Sequence, residues 1–212
     1  MKYLSAILIL FLIACDSNFN KETKQVASNT TNIEDLLKCY KKLGKDTLYL
    51  NIMPQDTSGW AFSGTPISPL LRQFLPEEIT KNETSFACYQ FRLDDNTIGL
   101  ITRVPSVYDA TSINLSAYHK NSKKITFEAE LSETFGDAGD VMSKSTILYR
   151  NAAKKWEAIL EYYESHEELE EDTNTQSNTY TAYYQYRWNQ QKFDTIGFDS
   201  SKLAPLFTNM SK

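Results

Sequence analysis

From Phe86 to Phe198 the sequence alternates apolar and polar residues with the period of a β-strand that is buried on one face. The alternation is clearest in three sets of apolar residues: Ile125, Phe127, Ala129 and Leu131; Trp156, Ala158, Leu160 and Tyr162; Tyr184, Tyr186 and Trp188. Successive side chains of a strand point to opposite faces, so each set predicts one buried face of one strand.

Four short polar turns separate the alternating segments, at residues 94–96, 121–123, 151–153 and 189–191. They predict four hairpins, about eight strands in chain order, in an antiparallel meander. The expected fold is α+β and mainly β, as a curved sheet or a partly open barrel. Two propeller-like blades are the weaker alternative.

A helix is predicted before the strands. Apolar residues recur at helical spacing at Ile33, Leu36, Leu37, Tyr40 and Leu43. Asn32 is a suitable N-cap and Gly44 a suitable stop, so we expect an N-terminal helix packed on the meander. Thr47–Ile52 alternates as a strand, and Ser68–Leu75 predicts a short helix with Pro69 at its first position.

The first fifteen residues carry a separate signal. Lys2 precedes an apolar run from Tyr3 to Ala14, which is too short to span a bilayer as a helix of about 20 residues. It matches the apolar core of a signal peptide. Leu12-Ile13-Ala14-Cys15 resembles the lipobox of bacterial lipoproteins, in which a leucine and small residues precede an invariant cysteine.

This resemblance implies the processing and location of the chain. Residues 1–14 would be a cleaved signal peptide, and Cys15 would carry a diacylglycerol and, on its amine, an acyl chain such as palmitate. Two or more acyl chains anchor a protein stably. We therefore expect a cell-envelope protein held to a membrane by lipid, with the choice of inner or outer membrane, and of periplasmic face or cell surface, left open.

The remaining chain divides in two. Residues 15–32 contain the lipidated cysteine and a polar segment with little to bury, which predicts a flexible tether with a reach of about 20–25 Å. Residues 33–212 suit a single globular domain. Loss of Lys2 with the signal changes the formal charge from −5 to −6. This balance argues against nucleic acid as a partner, because nucleic-acid binding needs a basic surface.

Negative charge is concentrated in one segment. Between Trp156 and Tyr186 there are eight acidic residues and no Lys or Arg. We interpret Ser165–Thr179 as a long, solvated hairpin loop, and a docking site for a basic partner or for divalent cations is the alternative.

No catalytic or metal-binding motif is present. The only histidines, His119 and His166, do not form the HExxH pattern, and there is no nucleophile elbow, phosphate-binding loop, dinucleotide motif or CxxC pair. Gly136–Asp140 is better explained as a tight turn than as a calcium loop, because it lacks the EF-hand spacing. The sequence therefore predicts no catalytic residue, cofactor or metal.

Two pairs of residues are candidate sites. Trp60 and Phe62 lie on a Gly-flanked segment and are candidates for binding a sugar face or a protein partner. Cys39 and Cys88 are the only cysteines left once Cys15 is acylated, so they are a candidate disulfide in an oxidising compartment.

Together these features favour a non-enzymatic binding or accessory lipoprotein whose partner is an envelope protein or a glycan. The alternative is a hydrolase of envelope polymers with a convergent site built from carboxylates, for which a deep pocket with two carboxylates would be the distinguishing feature.

The lipidation of Cys15 is directly testable. Intact-mass spectrometry of the membrane-extracted protein should show a chain that begins at Cys15 and carries diacylglycerol and acyl mass. Recovery of soluble, unmodified protein that begins elsewhere would contradict the lipobox interpretation.

Overall fold

The computed structural model describes residues 31–52, 63–81, 83–104, 112–137, 139–168 and 176–212. The helices are α1 (Ile33–Lys38), α2 (Pro69–Arg72), α3 (Glu77–Thr80) and α4 (Ser200–Met210). The strands are β1 (Lys41–Lys42), β2 (Thr47–Leu50), β3 (Thr65–Pro66), β4 (Phe86–Arg92), β5 (Thr97–Val104), β6 (Ser112–His119), β7 (Lys124–Asp137), β8 (Asp140–Arg150), β9 (Trp156–Glu168), β10 (Gln176–Trp188) and β11 (Phe193–Gly197). The protein is mainly β, in agreement with the predicted class.

The strands form one mixed sheet. β4 to β11 lie in the sheet in chain order, each antiparallel to the one before, as the turns predict. β1 is parallel to β4, β3 is antiparallel to β4, and β2 is antiparallel to β8. Because the described strands belong to one sheet, the propeller-like alternative is wrong.

Helix α1 is shorter than the sequence predicts. The side chain of Asn32 accepts a hydrogen bond from the N–H of Asp35 (3.1 Å), and the Asp35 carboxylate accepts one from the N–H of Asn32 (3.4 Å). The helix ends at Lys38 and does not continue to Leu43. The reason is that Lys41–Lys42 pairs with the edge of β4, so the sheet ladder replaces further helical hydrogen bonds.

Three apolar clusters cover both faces of the sheet. Leu100 and Ile101 are adjacent in β5 but belong to different clusters, as do Ile147 and Leu148 in β8, so these clusters lie on opposite faces. The cluster that contains Ile101 and Leu148 joins residues of β4–β6 with residues of β8–β10, so the sheet folds over on itself around it. We call this cluster the inner cluster and its side of the sheet the inner face. On the outer face, α1–α3 pack against β4–β7 and α4 packs against β8–β10.

The prediction that the four apolar residues of β7 share one face is wrong. Ile125 and Phe127 pack on the outer face, whereas Ala129 and Leu131 pack on the inner face. The pairing with β6 shifts register twice, and one shift leaves Glu128 without a partner opposite it. Such a bulge adds one residue to the strand and reverses the alternation beyond it, which periodicity alone does not reveal.

Two tryptophans close one end of the inner cluster. The Trp156 ring packs on Phe91 with centroids 4.5 Å apart, and its Nε1 donates to the carbonyl of Arg92 at 2.7 Å. Trp188 Nε1 donates to the Asp94 carboxylate, also at 2.7 Å. Both indole N–H groups are thus paired at the point where they are buried.

These contacts bring four turns together. The β4–β5 turn contacts β9 and β10 through the two tryptophans, and it accepts a hydrogen bond at the carbonyl of Asn96 from the N–H of Lys120 (2.9 Å). We call this part of the molecule the turn end. It comprises residues 92–97, 119–124, 150–156 and 188–193.

A buried carboxylate ties three strands on the outer face. Glu157 is 3% exposed and accepts hydrogen bonds from Tyr149 (2.7 Å), Asn151 (2.7 Å), Gln185 (3.0 Å) and Arg187 (2.7 Å). Burial opposes its ionisation, but the bonds from Tyr149, Arg187 and Asn151 outweigh this effect and lower the pKa of Glu157. Ionised Glu157 therefore stabilises the fold.

We predict that Glu157→Gln lowers the free energy of unfolding by about 2–3 kcal/mol, because buried donors lose a charged acceptor. A carboxyl group whose pKa is depressed in the folded state stabilises the protein above its unfolded pKa, which is near 4.5 for glutamate. The difference in unfolding free energy between wild type and variant should therefore narrow as the pH falls below 4.5. Urea unfolding at several pH values measures this. Glu164→Gln, the same change at an exposed position of β9, is the control, and equal effects of both variants would contradict the prediction.

Candidate binding cavity

The inner face opens where β7 and β8 separate. β7 pairs with β6 along residues 112–133 of that hairpin, and with β8 only from Glu133 to Asp137. Beyond Lys144, β8 leaves β7 and pairs through Thr146–Tyr149 with β2. The two strands diverge from Glu133 and Lys144 toward the turn end.

Hydroxyl side chains satisfy backbone groups at this divergence. Ser132 Oγ donates to the carbonyl of Lys144 at 3.0 Å, and Thr146 Oγ1 donates to the carbonyl of Leu131. Buried backbone carbonyls need a partner, and here side chains replace the missing ladder. The strands can therefore separate without leaving these carbonyls unpaired.

A cavity of about 430 Å³ lies inside the divergence. Its walls come from β6 to β11: Leu115, Glu128, Ala129, Glu130, Leu131, Lys144, Thr146, Ala158, Leu160, Tyr162, Tyr184, Tyr186 and Phe193. Most of this surface is aliphatic or aromatic, with a few charged groups. Both the size and the composition are typical of a small-molecule site.

β11 forms the last wall of the cavity and is attached to β7 by a hydrogen bond to a side chain. Phe193 of β11 lines the cavity, and its N–H donates to the Glu128 carboxylate of β7 at 3.2 Å. Burial raises the pKa of Glu128, although the bonds from Thr126 and Phe193 oppose this shift. The bulge that disrupts β7 thus supplies the contact between β7 and β11.

A cluster of three charged residues lies where β7 and β8 part. Lys144 Nζ donates to Glu130 and lies 3.5 Å from a carboxylate oxygen of Glu133. Ser112 Oγ donates to the other oxygen of Glu130 at 2.8 Å. All three charged side chains are about three-quarters buried. Each of the three side chains thus has an ion-pair partner, but one cation faces two carboxylates.

The two carboxylates of this cluster differ in their environments. Burial opposes ionisation of Glu130, but hydrogen bonds from Lys144 and Ser112 outweigh it and lower the pKa of Glu130. Burial, and then the charge of Glu130, raise the pKa of Glu133. Burial acts to lower the pKa of Lys144, but Glu130 outweighs it and the pKa of Lys144 is raised. Lys144 is therefore a cation at neutral pH and not a nucleophilic amine.

Three tyrosines supply most of the aromatic wall. The Tyr162 hydroxyl donates to Glu164 at 3.1 Å. In the described part of the chain, the hydroxyls of Tyr184 and Tyr186 have no hydrogen-bond partner, and both side chains are half-buried. Burial raises the pKa of Tyr186, so its hydroxyl stays protonated. The cavity thus offers aromatic faces together with hydroxyls available to a ligand.

The site residues predicted from sequence lie elsewhere. Cys15, Trp60 and Phe62 lie outside the described residues. Cys39 and Cys88 both have free thiols in the structure and belong to different apolar clusters. Their disulfide stays a prediction.

Neither histidine lines the cavity, and each contacts a different residue. His119 Nε2 lies 3.0 Å from Thr126 Oγ1, and His166 Nδ1 contacts the Asp140 carboxylate. Within the residues that the structure describes, no group of three or more His, Cys, Asp or Glu side chains could hold a metal ion.

The acidic hairpin is more regular than predicted. The β9–β10 ladder extends to the pair Glu168 and Gln176, so most of the supposed loop Ser165–Thr179 consists of paired strand. Gly136 and Asp137 end β7 and Asp140 begins β8, so the predicted turn lies where these two strands are joined, with Gly139 at a φ of +96°.

Sequence reasoning missed the charged residues of the cavity. Glu128 and Glu130 alternate with apolar residues and therefore predict the solvated face of a strand. Tyr162, Tyr184 and Tyr186 are correctly predicted on buried strand faces, but not as lining a space. Lys144 lies in a segment with no alternating pattern, and no local signal identifies it.

Comparisons with protein-family models, with curated proteins and with solved structures find no match to this chain. Among the described helices, none is long and apolar enough to cross a membrane. The geometry of the cavity is therefore the basis for assigning a function to this chain.

We predict that Lys144→Met raises the pKa of both Glu130 and Glu133, because their shared cation is lost. Carbon-13 NMR titration of the glutamate carboxyls measures this, with Glu133→Gln used to assign the signals. In the wild type, Glu130 should titrate below Glu133. A single common pKa near 4.5 for both carboxyls, unchanged in the variant, would show that the cluster does not form.

Proposed function

We propose that this chain is a lipid-anchored protein of the bacterial cell envelope that binds a small amphipathic cation in the cavity of its folded-over sheet. The observation that carries the proposal is the composition of the cavity, which combines an apolar and aromatic wall with more carboxylates than cations. The lipid anchor comes from the lipobox at Leu12–Cys15.

The charges of the cavity favour a cationic head group. Glu128 and Glu130 line the cavity and Glu133 adjoins it, whereas Lys144 is the only cation in the lining. Lys144 compensates one carboxylate, so negative charge remains in a partly buried space. Tyrosine faces attract cations through the ring quadrupole. An anionic ligand would meet repulsion at the same positions.

The walls favour an apolar body on the ligand. Ala129, Leu131, Ala158 and Leu160 offer aliphatic surface next to the tyrosines. Burial of apolar surface stabilises a complex by about 25 cal/mol per Å² before the costs of association. A ligand that joins a hydrocarbon or aromatic body to an ammonium group would meet both parts of the cavity.

The hydrolase alternative has one observation in its favour. Glu130 and Glu133 have pKa values displaced in opposite directions, as acid and base carboxyls of an active site often do. However, Lys144 contacts both carboxylates and so occupies the space between them. Carboxylate pairs that cleave a glycosidic bond flank the bond itself. The arrangement supports binding better than hydrolysis.

Two probes with the same hydrocarbon chain and opposite head groups test the proposal. We expect octylammonium to bind residues 31–212 about tenfold more tightly than octanoate, a difference of about 1.4 kcal/mol. Isothermal titration calorimetry at neutral pH measures both affinities. Octylammonium affinity should fall as the pH decreases through the raised pKa of Glu128, because its carboxylate then loses its charge.

Two variants locate the binding site. Ala129→Phe fills the cavity and should abolish octylammonium binding, whereas Ala152→Phe, the same change in the exposed β8–β9 turn, should leave it unchanged. Thermal unfolding of both variants checks that they fold. Tighter binding of octanoate, or binding that survives Ala129→Phe in the folded protein, would contradict the proposal.

A further inference from the structure

Positive charge is concentrated at the turn end, although the chain as a whole is acidic. Half of the 22 Lys and Arg residues lie in the four turns or beside them: Lys41, Lys42, Lys45, Arg92, Lys120, Lys123, Lys124, Arg150, Lys154, Lys155 and Lys192. The acidic residues in the same region are Asp46, Asp94, Asp95 and Asp194, together with Glu157, which is buried and paired with Arg187. The meander causes this clustering, because it places alternate hairpin turns at one end of the sheet.

Most of these cations are not neutralised by the protein. Three ion pairs use the available aspartates: Arg92 with Asp95, Arg150 with Asp46 at 3.7 Å, and Lys192 with Asp194 at 3.2 Å. Eight lysines remain exposed and without an ion-pair partner among the described residues: Lys41, Lys42, Lys45, Lys120, Lys123, Lys124, Lys154 and Lys155. The turn end is therefore a solvated cationic surface.

The described chain begins close to the same surface. Ile33 packs in a cluster with Ile98, Tyr118 and Ile125, which lie within two residues of the β4–β5 and β6–β7 turns. Burial raises the pKa of Tyr118, and the charge of Glu34 adds to this shift, so Glu34 lies near the end of β6. Ile33 and Glu34, near the start of the described chain, thus lie close to the cationic surface.

We propose that the turn end is the face that this protein presents to an anionic lipid bilayer. The inference rests on the lipid anchor of the proposed function. If the segment between Cys15 and residue 31 is the flexible tether that the sequence predicts, its reach of about 20–25 Å would keep the domain close to the head groups. Lysines near an anionic surface are attracted within about one Debye length, roughly 8–10 Å. The anchor and the charge would then orient the domain in the same direction.

The distribution of the lysines favours an extended surface over a single bound anion. A cleft of about 460 Å³ is lined by Lys42, Lys45, Lys120 and both arginines of the turn end. Lys123, Lys124, Lys154 and Lys155 lie in or beside the β6–β7 and β8–β9 turns and are not part of the lining. Charges spread over several turns match a plane of lipid head groups better than one phosphate group.

Binding to vesicles tests the surface without the anchor. Residues 31–212 form a compact unit that contains all three apolar clusters, so they can be studied alone. We expect co-sedimentation with phosphatidylcholine vesicles to rise as phosphatidylglycerol is added. Binding should fall as NaCl is raised from about 50 to about 200 mM, because salt screens the attraction between the lysines and the lipid head groups. Sodium phosphate at the same ionic strength should reduce binding equally. Stronger displacement by phosphate would indicate a discrete anion site and overturn the inference.

Two double charge-reversal variants distinguish an effect of the turn end from an effect of the net charge of the protein. Lys124→Glu with Lys155→Glu should weaken binding to the phosphatidylglycerol vesicles by about tenfold or more. Lys81→Glu with Lys202→Glu changes the net charge by the same amount and should have a smaller effect. These two exposed residues lie before the start of β4 and after the end of β11, away from the turn end. Equal effects of the two pairs, or equal binding to vesicles without phosphatidylglycerol, would overturn the inference.

The vesicle assay tests the cationic surface separately from the proposed function. The fragment lacks Cys15, and the readout is the rise in binding with phosphatidylglycerol, whose head group is anionic and does not suit the cavity. This rise can therefore occur or fail whatever the mass of the membrane-extracted protein shows. Absence of lipid at Cys15 would refute the anchor alone, and absence of vesicle binding would refute the surface alone.

Discussion

On the turn-end side of Glu133 and Lys144, the backbones of β7 and β8 no longer pair, and their facing edges need other partners. β2 supplies a new ladder to β8, and the hydroxyls of Ser132 and Thr146 bond to carbonyls across the gap. The sheet can therefore fold over and enclose one inner cluster. Without these substitutes, opening the sheet would leave buried carbonyls unpaired, at about 1–3 kcal/mol each.

The same separation explains the charged cluster. Where two strands part, their side chains meet across a space that the backbone no longer fills, and Lys144 there contacts carboxylates from β7. Desolvation penalises each charge alone, so the arrangement is stable only while all three remain together. One change of strand pairing, from β7 to β2 along β8, thus accounts for the charged wall of the cavity. It also explains why this wall lies next to the apolar cluster that Trp156 and Trp188 close at one end.

The fold was more predictable than the cavity. The strands could be predicted because alternation is a local property, and the polar turns mark where each strand ends. The bulge at Glu128 was not predictable, because the sequence on either side still alternates and only pairing with β6 shows the extra residue. The Glu130–Lys144 contact joins residues from two strands whose register is set by the whole sheet. The pairing of Cys39 and Cys88 is a similar case, since it requires contact between a helix and a strand that no local pattern reveals, and the two residues belong to different clusters.

The edges of the sheet bear on how this protein tolerates crowding. The free edge of β4 is covered by two strands of two residues each, the dilysine of β1 and the Thr65–Pro66 of β3, and proline has no N–H to offer a further strand. At the other edge, β11 is five residues long and leads directly into α4. Short edges with lysine and proline resist edge-to-edge pairing between molecules. Copies of this chain concentrated in two dimensions would therefore remain separate, without a common sheet growing through them.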